Sequence, residues 1–320
     1  MDIASDLKDL IADQYTGFET HIRELDAVWT SNEISIRARA IYLPFSGSTA
    51  AVEALARFVY RYISWFCIPR QEVLDALEKA KGGEIHHLQN IFDRARRLFV
   101  KATLASKTQG EVGELTLFIL LEKLLESPRA VCKMDLKTST QLAYNGSDGT
   151  HLGFDSESNQ LVIYWGESKM VQQISSCFDD ICESLLHFIT PKESGVPKQR
   201  EIEILVQDLD VPPGPFKDLL LKYLDPYSDS PERHETREVF ACLACFDFEE
   251  YSRLSSVPQK DLYDHFQKKL QERLESAGAL FEKKVSSTNL KEFEYVLFIL
   301  PFPDLQKFRN QFQLHLKSQI

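Results

Sequence analysis

The sequence contains no apolar run approaching the roughly 20 residues that a membrane-spanning helix needs, so its hydropathy pattern points to no membrane. Its opening residues, MDIASDLKDLIADQY, are acidic and polar. They lack the basic stretch followed by an apolar stretch that marks a secretory signal, and a cytoplasmic protein is expected. GxSxG, Walker A, HExxH and GxGxxG patterns are absent. Their absence removes the familiar signatures of serine hydrolases, P-loop NTPases, zinc proteases and dinucleotide-binding enzymes. Repeats and low-complexity tracts are absent as well.

Zinc chemistry is also poorly provided for. Cys242 and Cys245 form a CxxC, but within VFACLACFDF, which reads as a buried strand. Residues three apart on a strand face opposite ways, and no second CxxC or histidine pair completes a zinc set. The cysteines are expected to be core thiols of a reducing compartment.

Positive charge is in deficit: 37 Lys and Arg stand against 48 Asp and Glu, a net charge of −11. That balance argues against a non-specific nucleic-acid binder, but it permits an enzyme with local basic surface. Residues 94–107 carry Arg94, Arg96, Arg97, Lys101 and Lys107 without one acid. The run reads equally as a nucleic-acid contact or as a solvated helix face.

Apolar periodicity predicts a mainly helical N-terminal extension over 1–109, with a strand in EISIRARAIYL. VEALARFVYRYISWFCI reads as one apolar helix ending at Pro69, QEVLDALEKA stops at Gly82-Gly83, and IHHLQNIFDRARRLFVKATL follows. A core is expected over 110–250: the helix EVGELTLFILLEKLLES, a strand in RAVCKMDLKT, then LAYNGSDGTHLGFD, rich in turns and partly extended. DSESN makes a turn, and QLVIYWGESKM is apolar enough on both faces for a central strand. The helix VQQISSCFDDICESLLHFI and the strand VFACLACFDF complete this part. Residues 251–320 are expected to extend the same sheet as a C-terminal α/β extension. They supply the helix PQKDLYDHFQKKLQERLESAG with a glycine stop, the strand EFEYVLFILPF and a last helix, LQKFRNQFQLHLK. The fold class is α/β, a sheet between helices.

Chemistry concentrates where QLVIYWGESKM ends. Glu167 and Lys169 are two residues apart and share a strand face, while Ser168 points away. A carboxylate and an ammonium at the end of a buried strand cost desolvation unless they pair or bind a cation. Taken alone, the motif is also an ordinary ion pair. Asp148 follows Gly146 and Ser147 and precedes Gly149, and a hairpin through DSESN would set it beside the Glu167 strand. By itself it also fits an Asx-type turn. Glu114 shares a helix face with Leu117, Phe118 and Leu121, although an acid near a helix start also suits the dipole. Together the three acids and the lysine suit metal-dependent hydrolysis of a phosphodiester. Carboxylates hold one or two Mg²⁺ or Mn²⁺ ions, which polarise phosphate and acidify water. A lysine orients that water or offsets charge in the transition state.

The segments KATLASKTQGEVGELTLFILLEKLL, KMDLKT, NGSDGTHL and YWGESKM, in that order, resemble the HamA family, effectors of bacterial Hachiman antiphage defence. The resemblance is close over roughly residues 90–190 and looser outside. It implies a PD-(D/E)xK nuclease fold, a mixed β-sheet core flanked by helices. Its catalytic residues would be Asp148, Glu167 and Lys169, with Glu114 completing the metal site. It further implies DNA as substrate and a partner helicase, HamB, in a heteromeric complex that gates the nuclease. Ser147 stands where the signature has proline. His151 could contact phosphate, transfer a proton or merely cap the hairpin. Gln172 and Gln173 could orient substrate or simply open a helix. Two other readings stay open: an RNA-directed nuclease on the same fold, and a non-catalytic partner subunit, against which the intact Asp, Glu and Lys set argues.

Overall fold

The computed structural model describes residues 2–11, 15–46, 49–105, 110–134, 146–191, 195–227, 229 and 236–317. Runs rich in β-branched and aromatic residues become strands. They are β1 (Arg23–Thr30), β2 (Ile36–Tyr42), β3 (Phe45–Ser46), β4 (Thr49–Ala50), β5 (Gly149–Asp155), β6 (Gln160–Met170), β7 (Thr236–Asp247) and β8 (Glu294–Phe302). Six of them form one sheet in the order β1-β2-β8-β7-β6-β5. β1 with β2 and β5 with β6 are antiparallel, whereas β8 runs parallel to both β2 and β7. This mixed sheet with its helices is the α/β class that the sequence implied, consistent with a PD-(D/E)xK fold.

The helices are α1 (Ile3–Lys8), α2 (Phe18–His21), α3 (Val52–Tyr60), α4 (Ile63–Cys67), α5 (Arg70–Lys81), α6 (His86–Ala105) and α7 (Glu111–Leu124). They continue with α8 (Ile174–Ile189), α9 (Pro197–Gln207), α10 (Pro215–Leu224), α11 (Glu250–Arg253), α12 (Leu262–Ser286) and α13 (Leu305–Lys317). Among the described residues no helix is long and apolar enough to cross a membrane. The chain divides into two compact units that alternate along the sequence. The first comprises Met1–Tyr15, Arg61–Gly166 and His187–Glu238; the second comprises Thr16–Tyr60, Glu167–Leu186 and Val239–Ile320.

The first unit is built around α7, whose Leu115 and Leu117 to Leu121 are all buried. Phe66 of α4 meets Phe99 at 6.2 Å and Phe118 at 5.7 Å between ring centroids. Charges are buried beside this apolar core. Arg129 donates to the carbonyls of Trp65, Phe66 and Ile68 and pairs with Asp210, which also receives the backbone N–H of Arg70. Burial alone would raise the Asp210 carboxyl, but Arg129 and Arg70 outweigh it and hold it below its usual range.

In the second unit α3 packs on α13, with Tyr60 and Phe312 edge to face at 5.9 Å. The helix α12 runs through Gly278 instead of stopping there. A Cβ at Gly278 would lie 2.3 Å from the Trp29 ring. This glycine lets the helix approach β1, a packing requirement that a chain-local reading mistakes for a terminator.

Three other expectations change. VEALARFVYRYISWFCI is two helices, α3 and α4, and the break falls where the chain passes from the second unit to the first. RAVCKMDLKT forms no ladder strand over its described residues: only the bridges Arg129 to His151 and Val131 to Leu209 occur. The side chains of Arg129 and Lys133 turn inward to buried acids instead; residues 135–138 lie outside the described ones. β1 has no counterpart in the sequence reading, because a register shift between Glu24 and Val28 blurs its alternation. The cysteines are buried and free, and burial pushes the thiols of Cys242 and Cys245 well above their usual range, which makes them inert.

Candidate active site

The hairpin from β5 to β6 forms as the DSESN turn predicts. Asp155 Oδ1 accepts the Glu157 N–H at 3.0 Å, and Asn159 closes the turn at φ 55°. Its register sets Gly149 opposite Gly166. The backbone N–H of Asp148 donates to the Gly166 carbonyl at 2.8 Å, and Gly166 is covalently joined to Glu167. A side chain at 166 would meet the Gly149 carbonyl and Leu117 Cδ2, each at 3.1 Å. The bare Gly166 therefore lets β5 and α7 close on this point of β6.

Glu114 lies in the first turn of α7, half-buried. With Asp148 and Gly149 it lines a cavity of about 10 Å³, whose apolar wall includes Leu117 and Phe118. That is roughly the space of one water-sized species. Arg129 and Lys133 line the cavity as well; the two acids are hard oxygen donors of the kind that Mg²⁺ and Mn²⁺ take. In the second unit Glu167 is buried at the end of β6, and the Lys169 ammonium donates to its Oε1 at 2.5 Å. The alternation of the strand puts these two side chains on one face, as their spacing predicts.

The sequence assigned no role to Lys133 or Glu201, yet both hold the residue before Asp148. The buried Lys133 ammonium donates to the Ser147 carbonyl at 2.8 Å, to Ser147 Oγ at 2.5 Å and to Glu201 Oε2 at 2.6 Å. A proline at 147 would lack that hydroxyl, so the departure from the signature is tied to Lys133. The only available signal was a lysine within an otherwise apolar stretch.

His151 is fully buried, with Nδ1 2.8 Å from the Ser127 carbonyl. A carbonyl only accepts, so Nδ1 carries the proton. Burial pushes the imidazole down to about 3, and it stays neutral at physiological pH. Its Nδ1 is thus committed to Ser127, while the ring also lines the cavity shared by Glu114 and Asp148. In the basic run Arg94 pairs with Glu72, and Lys107 lies outside the described residues. Gln172 and Gln173 are exposed, just before α8. A separate group, Glu84, His86 and His87, brings its donor atoms within 4.8 Å of one another. His87 Nε2 lies 3.1 Å from Glu84 at this exposed helix start, and pairing accounts for the proximity.

A comparison with curated proteins returned no match. The HamA family model matches residues 18–316, nearly the whole chain, and the chain therefore belongs to the HamA family.

Proposed function

We propose that this chain is a metal-dependent deoxyribonuclease, the effector of a Hachiman antiphage defence system, gated by a HamB-like helicase. The observation behind this reading is that Glu114 and Asp148 line one water-sized cavity, with Lys133 and Arg129 in the same wall. The Asp148 N–H is bonded to the carbonyl of the residue that precedes Glu167.

Glu114, Asp148 and Glu167 would hold Mg²⁺ or Mn²⁺, which polarises the phosphate and lowers the pKa of the attacking water. Lys169 has a mobile point charge that orients the water or offsets charge gathering on the phosphoryl oxygens. Lys133 and Glu201 act through Ser147 as positioning residues for Asp148. His151, neutral and with Nδ1 held by Ser127, serves this wall of the cavity as a positioning residue. The net charge of −11 opposes unaided approach to DNA, which suits an enzyme that a partner must bring to its substrate.

The test compares supercoiled DNA, linear DNA and RNA of matched sequence, in Mg²⁺ and in EDTA, with and without the helicase and nucleotide. Cleavage of DNA in Mg²⁺ alone, released when the helicase meets DNA and nucleotide, is expected. Equal cleavage of RNA would make the enzyme RNA-directed, and no cleavage of either by the complex would make the chain a non-catalytic subunit.

A further inference from the structure

Within the second unit, the carboxyl ends of β6, β7 and β8 open onto a cleft of about 820 Å³. Such ends are where open α/β sheets bind ligands, and the volume suits a ligand of several rings. Gln172, the first lining residue after β6, follows Lys169 by three residues. A chain of that length spans at most roughly 11 Å, so the cleft adjoins the Glu167–Lys169 pair.

The lining chemistry selects among ligands. Gln172, Gln173 and Gln306 present side-chain amides, and the Arg273 guanidinium lies 5.6 Å from the Phe248 ring centroid. Three acids share the wall, each with a structural task. Asp247 Oδ1 accepts the Leu305 N–H at 2.7 Å, Asp304 Oδ1 accepts the Lys307 N–H at 2.8 Å, and Glu249 pairs with Arg253 at 2.8 Å. One guanidinium against three carboxylates is a poor seat for a phosphate. It is a good one for a neutral group whose edge carries both donors and acceptors. Nucleobases are such groups: glutamine amides pair with adenine, arginine with guanine, and carboxylates accept from cytosine. Arg273, over the Phe248 ring, offers a guanidinium plane on which an unpaired base can stack.

We infer that this cleft receives unpaired bases of the strand whose phosphodiester is hydrolysed at the neighbouring Glu167–Lys169 centre. The inference rests on the nuclease reading for its choice of ligand, and its test does not depend on cleavage. Only bases freed from pairing can turn their edges into the cleft, so the site couples the enzyme to DNA that has already been opened.

The experiment measures fluorescence anisotropy of the full chain in EDTA. It uses a labelled single-stranded oligodeoxynucleotide and an otherwise identical strand in which the central nucleotides are abasic. The base-bearing strand should bind at least tenfold more tightly. Arg273→Ala and the double change Gln172→Ala/Gln173→Ala should each bring the two affinities near parity, with the abasic strand bound as by the wild type. Gln173→Glu, at an exposed position that cannot unfold the protein, should weaken the base-bearing strand alone. Equal affinities in the wild type, no binding of either strand, or a preference that survives all three variants would overturn the inference. Base preference without cleavage in Mg²⁺ would leave the cleft in place and remove the nuclease reading. Cleavage without base preference would do the reverse.

Discussion

Lys169 holds Glu167 from two residues along the same strand, ammonium to Oε1 at 2.5 Å, with the carboxylate side chain 7% exposed and the lysine 27%. Lys169→Ala deprives a buried carboxylate of this cation. In EDTA the variant should lose about 1–3 kcal/mol of stability, and Mg²⁺ should narrow the gap by supplying charge. Cleavage should fall by about 10²–10³-fold, the scale for losing one group that stabilises transition-state charge. Glu167→Ala should be equally inactive. Melting curves and plasmid cleavage check both, and wild-type cleavage by Lys169→Ala would remove the lysine from the mechanism.

Glu114 and Asp148 line one cavity together with Arg129 and Lys133, and on the metal-site reading the Asp148 charge adds to that of Glu114 in a partly desolvated space. Asp148→Asn should therefore abolish activity yet raise stability in EDTA by about 0.5–2 kcal/mol, a few degrees in Tm at most. Mg²⁺ should stabilise the wild type by mass action and the variant much less. If the variant melts several degrees lower in EDTA, Asp148 is a structural residue.

His151 makes stability depend on pH in a defined direction. In the fold it stays neutral down to about 3, whereas the unfolded chain protonates it below about 6.5. Between those values the unfolded state binds more protons. Stability is thus fully present above about 6.5 and falls as pH drops through the window, by up to about 1.4 kcal/mol per unit. His151→Gln keeps an N–H for Ser127 and removes the titration. Urea unfolding at pH 7.5 and 5 should show the wild type losing roughly 2 kcal/mol more than the variant; coincident losses would show that His151 is not held neutral.

Lys133 and Glu201 form a buried pair at 2.6 Å. Lys133→Met leaves Glu201 buried without its cation and should cost about 3–5 kcal/mol. Adding Glu201→Met should recover most of that loss, since apolar replacement of a whole buried pair is nearly neutral. The stable double variant lacks the hold on Ser147 and should bind Mg²⁺ more weakly, as measured by its smaller metal-induced Tm shift. A double variant with the wild-type shift would show the pair to be purely structural.

Legibility followed the range of the interactions. Glu167, Lys169 and the hairpin that sets Asp148 against Gly166 could be read because strand alternation and the DSESN turn are local. Lys133 finds Glu201 68 residues away and Arg129 finds Asp210 81 away, so nothing nearby in sequence marks either as buried. The same limit explains Gly278. Within its helix it resembles a terminator, and only Trp29, on a strand the sequence hardly signals, reveals why a side chain is excluded. RAVCKMDLKT shows the converse: its composition suits a strand, but over its described residues long-range charge pairing, not a ladder, places Arg129 and Lys133.

The parallel ladder of β2 with β8 joins Ile36 to Tyr295, residues roughly 260 apart. A ribosome adds roughly 5–20 residues per second, so β8 reaches its neighbour tens of seconds after β2 has emerged. β8 also completes the pairing of β7, and the second unit, with the Glu167–Lys169 end of β6, cannot close until β8 has been made. On the proposed nuclease function, this order of synthesis keeps the nascent polypeptide inactive until β8 has emerged, a safeguard written into topology.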